Sequence, residues 1–216
     1  MPTPVRLKAP FRFAQHYHLM FQSIDGLILF RSLQHQRLFL KACVCYLKPF
    51  FRFRAYTLLS NQAHMVVTTQ SEKQITEAIS WLPFQDRTRS MSLFQRSPSE
   101  ALLNRMLERQ VNRMLVSYVN SYNYYEERAG GLFQKPFKRV VLENKEAMKE
   151  AIMYVHTCAQ LKQLVSDYRA HSAHSWMEIL NKNSLLVETD SVLELFEDPE
   201  TYRIAHQRYI QFTGIS

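Results

Sequence analysis

The segment Asn61-Gln62-Ala63-His64-Met65-Val66-Val67 decides how this chain folds. Side chains two apart on a strand face the same way, so Gln62 and His64 project together. A second strand-like run, residues 51–59, precedes the segment across a tight Ser60-Asn61 junction, and this pairing predicts a β-hairpin. Two side chains able to bind a metal ion on one face of that hairpin indicate half of a metal site.

The rest of the chain alternates strand-like and helical patterns. Strand-like composition marks residues 15–22 and 137–142. Apolar residues at helical spacing predict helices over residues 31–47, 71–81, 101–128 and 144–161. Strands that bracket helices in this order predict an α+β fold, a ferredoxin-like antiparallel sheet with helices packed on it.

The domain organisation follows from composition. Of the 216 residues 46% are hydrophobic, enough for one compact domain. We divide the chain into an N-terminal arm, a main domain and an acidic helical C-terminal extension, which cover residues 1–14, 15–180 and 181–216. Residues 83–100 are polar, serine-rich and basic without a clear period, which predicts a mobile loop.

The charge is positive and uneven. The chain holds 27 Lys and Arg against 19 Asp and Glu. Residues 188–216 carry six acids and two bases, a net charge of −4. Since the whole chain has a net charge of +8, the first 187 residues have a net charge of +12. An excess of this size favours a polyanionic partner, whereas solvated surface charge alone explains a smaller one.

Cysteine usage and hydropathy predict a compartment. The three cysteines, Cys43, Cys45 and Cys158, lack the paired spacing of a disulfide framework or a zinc knuckle, which indicates reduced thiols. The sequence contains no apolar run long enough for a signal peptide or a membrane span. We therefore expect a soluble, cytoplasmic protein.

Three further motifs follow one another along the chain. Tyr17-His18-Leu19 lies in the first strand, Gly131-Leu132-Phe133-Gln134 precedes the last strand, and Tyr154-Val155-His156 lies in the helix after it. Together with the segment around His64, they resemble the single-tyrosine HUH transposases, in particular the REP-associated tyrosine transposases. The resemblance extends over residues 15–176 and more weakly to His206.

The resemblance implies a chemistry and a set of site residues. In the family a tyrosine hydroxyl attacks a phosphodiester of single-stranded DNA and leaves a 5′-phosphotyrosine link; Tyr154 matches this nucleophile. A divalent ion, Mg²⁺ or Mn²⁺, is held by two histidines and by a polar residue one helical turn beyond the tyrosine. The matching positions here are Gln62, His64 and Cys158. A phenol is a poor nucleophile near neutral pH, so charge neutralisation by the metal lowers the barrier.

The chain departs from the family at two of these ligands. Gln62 stands where the family has its first histidine, and Cys158-Ala159 stands where it commonly has Asn-Pro. A neutral amide and a neutral thiol are weak ligands for a hard divalent ion. We therefore expect an eroded site with little affinity for Mg²⁺ or Mn²⁺, typical of a degraded or repurposed transposase.

These residues also have simpler explanations. His64 on an isolated strand is commonly structural, and Tyr154 is one of eleven tyrosines, which commonly place their rings at the edge of a core. His16 and His18 are also spaced two apart. The family alignment assigns them to the first strand and makes them a decoy, and a site rebuilt from His16 or His18 with His64 is the alternative.

Basic residues predict DNA contacts. Arg105, Arg109 and Arg113, here called the arginine ridge, recur every four residues on one helix face, which otherwise is a solvated surface. Arginines alternate with phenylalanines in residues 83–100, as in single-strand binders. The DNA-binding residues predicted on these grounds are Arg87, Arg89, Arg105, Arg109, Arg113, Lys135, Lys138 and Arg139.

Two functions follow from these observations. The first is a DNA-binding, transposase-like enzyme that acts on single-stranded or hairpin DNA through Tyr154 and a divalent metal. The alternative is a catalytically inactive protein that binds single-stranded nucleic acid. A homodimer is compatible with both.

Overall fold

The sheet has four antiparallel strands. A computed structural model of the chain describes residues 8–213. The strands, in the spatial order β2-β3-β1-β4, are β1 (His16–Gln22), β2 (Phe51–Leu59), β3 (Gln62–Thr69) and β4 (Lys138–Leu142). Every neighbouring pair is antiparallel. This order is that of a ferredoxin-like sheet, and the predicted α+β fold and β2–β3 hairpin are confirmed.

Eight α-helices surround the sheet within the described part of the chain. They are α1 (Leu33–Tyr46), α2 (Glu72–Trp81), α3 (Arg89–Arg96), α4 (Glu100–Tyr125), α5 (Lys145–Leu161), α6 (Trp176–Leu180), α7 (Thr189–Leu195) and α8 (Pro199–Phe212). Ser71 and Gln74 form a capping box at the start of α2, and Asn144 caps α5. Across residues 8–213, no helix has both the length and the apolar content to cross a membrane.

One face of the sheet packs against α1 and α4. Alternate residues of β1, namely Tyr17, Leu19 and Phe21, are buried on this face. The Phe21 ring lies 6.2 Å from Phe39 of α1, and Phe39 lies 5.1 Å from Tyr118 of α4. This aromatic layer forms the main core and buries the side of β1 that faces α1 and α4.

The opposite face carries α5, which packs mainly against β2 and β3. The β1–β4 half of that face is more open, since Met20 and Gln22 are partly exposed and Lys138 is exposed. The polar side chains of β1 and β3 therefore lie beside an open half-face, with α5 as its wall.

Residues 83–100 are more ordered than the sequence suggests. The prediction of a mobile loop there is wrong, because α3 occupies Arg89–Arg96 with Thr88 as its N-cap. Met91 and Phe94 are one turn apart and fully buried. Phe94 is therefore a core residue and has no surface on which a DNA base could stack.

The terminal segments also join the core. Phe11 of the predicted N-terminal arm is fully buried, while residues 1–7 lie outside the described residues. In the predicted C-terminal extension, Tyr202 and His206 of α8 are fully buried against α5; residues 214–216 lie outside the described residues.

A buried histidine chain links α5 to α8. His206 Nδ1 donates to the Tyr202 carbonyl at 2.7 Å, so its Nε2 accepts from His156 Nδ1 at 2.9 Å. His156 Nε2 then accepts from Ser175 Oγ at 2.9 Å. The two accepting nitrogens, Nε2 of His206 and Nε2 of His156, must be unprotonated for the chain to form. Burial lowers the pKa of His206 to about 4 and also lowers the pKa of His156.

The buried histidine chain predicts that the protein loses stability in acid. The pKa of His206 falls from 6.5 to about 4 on folding, so below pH 6.5 the unfolded state binds more protons. The free energy of unfolding should fall between pH 6.5 and 4 by about 1.4 kcal/mol per pH unit for each such histidine. Urea unfolding of His206→Phe, which removes one such group, should give a flatter slope by about that amount. Equal slopes in variant and wild type, or a wild-type slope of zero, would contradict this assignment.

Candidate functional site: a histidine pair beside Tyr154

His18 and His64 form the centre of the candidate site. Met20 pairs directly with His64 across β1 and β3, so His18, two residues earlier, projects from the same face. Its Nε2 lies 3.1 Å from His64 Nδ1. Of the two rebuilt sites considered from the sequence, the structure assembles the one with His18. His16 instead contacts Thr68 Oγ1 at 2.8 Å.

Hydrogen bonds extend this histidine pair to α5. Gln62 Oε1 accepts from Lys162 Nζ at 2.7 Å and lies 3.2 Å from His64 Nε2. An amide oxygen only accepts, so His64 Nε2 carries the proton and His64 Nδ1 accepts from His18 Nε2. The result is a directed chain from His18 through His64 to Gln62, with the Lys162 ammonium at its end.

Tyr154 stands over the histidine pair. Its ring is half-buried and meets His18 and His64 edge-on, with ring centroids 5.8 and 5.9 Å away. Tyr154, Cys158 and Lys162 follow one another at four-residue spacing along one side of α5. The helix therefore presents the phenol and the ammonium to the same polar patch of the sheet.

Burial controls the charges in the site. It lowers the pKa of His64 to about 3, with His18 and Lys162 contributing in the same direction. Burial alone lowers the pKa of His18 to about 4. The pKa of Tyr154 is raised, first by burial and then by Cys158. At neutral pH both imidazoles and the phenol are uncharged, and Lys162 carries the positive charge.

Cys158 packs beside Tyr154. It is fully buried in a small cluster with Leu59, and its thiol donates to the Val155 carbonyl at 3.3 Å. Burial raises its pKa to about 12, so it stays a neutral thiol. A buried neutral thiol thus stands at the position that the resemblance gives to the third, degenerate ligand.

The donors of this site are not free for Mg²⁺ or Mn²⁺. His64 Nδ1 already accepts from His18 Nε2, and His64 Nε2 carries a proton, so only His18 Nδ1 keeps an uncommitted lone pair among the four imidazole nitrogens. The amide oxygen of Gln62 already accepts from an ammonium group. No three His, Cys, Asp or Glu side chains of residues 8–213 converge on a common point.

Lys162 is the site residue that sequence reasoning missed. His18 entered only as part of the alternative site, and the β1–β3 register is what shows that it reaches His64. Lys162 lies two four-residue steps beyond Tyr154, a spacing visible in the sequence. The four-residue ladder on α5 was therefore the available signal.

The arginine ridge lies on the other layer of the molecule. Arg105 and Arg109 are exposed on α4, which packs on the sheet face opposite α5. Arg113 is partly buried; it donates to the Asp86 carbonyl at 3.2 Å and lies over the Tyr46 ring. Arg109 and Arg113 border a groove of about 710 Å³ whose other walls include Asn112 and Asn120. A strand bound at Tyr154 reaches the ridge only by passing around a sheet edge.

Arg87 and Arg89 differ in their surroundings. Arg87 donates to the carbonyls of Ser80 and Leu82, at 2.8 and 2.9 Å, and so covers the C-terminal end of α2. Arg89 is exposed at the start of α3. Arg89 thus retains a free surface, whereas two donors of Arg87 are committed to the fold.

Arg139 is an interior residue. It is 2% exposed, pairs with Glu108 at 2.6 Å and lies 4.2 Å from the Phe11 ring centroid. It also donates to the Ala9 carbonyl, which fixes the N-terminal segment. The prediction that Arg139 contacts DNA is wrong: β4 alternates, and Arg139 faces the α4 layer while Lys138 faces solvent.

Lys135 and Lys138 form an exposed basic edge. Lys138 pairs with Met20, which pairs with His64, so the three share one row across the sheet. Neighbouring strands are about 4.8 Å apart, which places the Lys138 backbone about 10 Å from that of His64. Lys135 borders a pocket of about 330 Å³ that Lys8 and Asn112 also line.

A solved protein shares this fold. The REP-associated tyrosine transposase, solved bound to a REP hairpin, superposes with a TM-score of 0.53 at 10% sequence identity. The match covers 81% of this chain and 84% of that one. It supports the relation to REP-associated tyrosine transposases at the level of the fold. No family model matches the sequence, and no curated protein does.

Arg139 gives a direct test of these placements. Arg139→Met should lower the free energy of unfolding by about 2 kcal/mol, because it removes a buried guanidinium that donates to the Ala9 carbonyl and to partly exposed Glu108. Arg105→Met, on the exposed ridge, should change it by less than about 0.5 kcal/mol. Urea denaturation of both variants measures the difference. Equal stabilities of the two variants would contradict the buried position of Arg139.

Proposed function

We propose that this protein is a transposase-like DNA-binding protein that holds single-stranded or hairpin DNA against the sheet face carrying the histidine pair and Tyr154. The observation that carries the proposal is the arrangement of lysines around that site. Lys138 lies on the open β1–β4 half-face, and Lys162 lies at the wall formed by α5. A phosphate backbone that crosses the half-face passes between these two positive charges.

The basic surface continues around the β4 edge. Lys135 and Lys8 border the pocket that Asn112 closes, and Asn112 also borders the groove of Arg109 and Arg113. A continuous path therefore joins the Tyr154 face to the arginine ridge. A hairpin has a single-stranded part and a duplex stem, and this path gives the stem a place on α4 while a single strand reaches the histidine pair.

Two further observations support DNA as the partner. The solved transposase that shares this fold is bound to a REP hairpin. The first 187 residues of the present chain carry a net charge of +12, and most of the charged side chains on the path are lysines and arginines. Binding by such a surface is mainly electrostatic and weakens steeply with salt.

DNA strand cleavage by Tyr154 is a second candidate function, favoured by the packing of its ring on both imidazoles. In that reaction the Tyr154 oxygen bonds to phosphorus and the bond from phosphorus to the 3′-oxygen breaks. A base takes the phenol proton, and the departing 3′-oxygen gains one. These transfers need a group whose pKa lies near the working pH.

The electrostatics of the site support binding more than cleavage. The candidate bases are His18 and His64, whose pKa values lie at about 4 and about 3. The pKa of Tyr154 is raised, so the nucleophile holds its proton more firmly than free tyrosine does. Weakly basic imidazoles and a phenol of raised pKa make the proton transfer unfavourable. Neither property impairs phosphate binding.

The lysine edge predicts the salt dependence of binding. Lys135→Gln with Lys138→Gln should reduce the log-log salt slope for a short single strand by about 1.4, because each phosphate contact contributes about 0.7. Fluorescence anisotropy over a salt series measures this slope. An unchanged slope would remove the β4 edge from the DNA path.

The arginine ridge should act on the stem alone. Replacing Arg105, Arg109 and Arg113 by Gln should flatten the slope for a hairpin by about 2.7, because each phosphate contact on a duplex contributes about 0.9, and should leave the short single strand unaffected. If both ligands respond alike, the DNA does not wrap the edge as proposed. If neither responds, the ridge is a solvated helix face.

The second candidate function predicts a covalent product. We expect no Tyr154 adduct when the protein is incubated with a pool of hairpins with randomised loops and flanks, with or without Mn²⁺, because the site lacks an effective base. Denaturing gels detect the adduct. An adduct that disappears in Tyr154→Phe and persists in Tyr124→Phe, a variant of an exposed tyrosine on α4, would establish cleavage instead.

A further inference from the structure

We propose that the Lys162 ammonium takes the place of a divalent cation in this site and binds a non-bridging oxygen of the DNA phosphate directly. The inference rests on the proposed DNA-binding function and names the group that recognises the phosphate beside Tyr154. It starts from the disagreement between the metal that the fold resemblance implies and the donors that the chain presents.

The position of Lys162 is the first argument. Its Nζ lies 2.7 Å from Gln62 Oε1, the atom that replaces the ring nitrogen of the family's first histidine. The positive charge therefore sits against the oxygen that a metal would otherwise use. Gln62 also bonds to His64, so the ammonium is held at the same patch as the histidine pair.

The unused donors of Lys162 are the second argument. An ammonium group has three N–H donors, and one of them goes to Gln62. The residue is exposed, and no Asp or Glu among residues 8–213 forms an ion pair with it. It thus retains donors and an uncompensated charge at the mouth of the site.

A purely structural role explains Lys162 less well. A lysine at the C-terminal end of a helix can stabilise the last carbonyls. Here the side chain bonds across to β3 instead, while the Lys162 backbone N–H already satisfies the Cys158 carbonyl. The side chain is directed at the polar patch of the sheet.

The same charge disfavours a metal. A cation brought to Gln62 and His64 meets the ammonium at hydrogen-bond distance from one of its ligands, and like charges at that separation repel each other. The Lys162 ammonium can therefore bind a phosphate oxygen and at the same time repel a metal ion.

The test uses the full-length chain and single-stranded oligonucleotides in EDTA at constant ionic strength. Wild type should bind without metal, and added Mn²⁺ should not improve the affinity. Lys162→Gln should weaken binding about tenfold, the effect expected for loss of a charge-assisted hydrogen bond. Lys162→Arg should retain most of the affinity. Lys182→Gln removes the same charge in the loop after α6 and should leave binding unchanged.

Oligonucleotides with one neutral methylphosphonate locate the contact. Moving the neutral group along the strand should reveal one phosphate at which wild type loses affinity and Lys162→Gln loses nothing further. Additive losses at every position would overturn the inference while leaving DNA binding intact. Wild-type binding that requires Mn²⁺ and is abolished by EDTA would also overturn it. A wild type that binds no DNA would refute the proposed function itself.

Metal binding gives a second readout that needs no DNA. Gln62→His alone should bind Mn²⁺ poorly, because the ammonium remains, and Gln62→His with Lys162→Gln should bind it more tightly. Electron paramagnetic resonance of free Mn²⁺ measures both. Equal Mn²⁺ affinity in the single and double variants would show that Lys162 does not occupy the cation position.

Discussion

The pairing of β1 with β3 is the constraint on which the rest of the structure depends. Its register sets Met20 against His64 and thereby places His18 beside the same imidazole. A slip of one residue would reverse both faces of β1. The aromatic residues Tyr17 and Phe21 would then leave the α1–α4 layer for the half-open face. Core packing and site assembly are therefore fixed by one register.

The surroundings of the site fix the charges of its side chains. Burial between the sheet and α5 keeps His18 and His64 neutral and raises the pKa of Tyr154. A neutral pair of imidazoles can satisfy each other and Gln62 without an ion between them. The single charge that remains, on Lys162, lies where an anionic ligand can reach it. Such a site is suited to hold a phosphate and poorly suited to move protons.

The sequence predicted well what periodicity controls. The β2–β3 hairpin, α4 and α5 follow from local patterns, and the ferredoxin-like sheet follows from the order of strands and helices along the chain. The failures concern tertiary placement. Nothing local distinguishes buried Arg139 from exposed Lys138 except strand alternation, whose phase depends on the neighbouring strand. Cys158 shares a helix face with Tyr154, yet the packing of α5 on β2 buries it beside Leu59. His18 needed the register of a strand more than forty residues away.

The link between His156 and His206 bears on how the helix of Tyr154 is supported. Tyr154 stands two residues from His156, whose ring nitrogens are held by α8 and by Ser175. The strands that carry His18 and His64 all precede α5 in the chain. The two halves of the site therefore have separate supports, so a substitution that loosens α8 would displace Tyr154 more than the histidine pair.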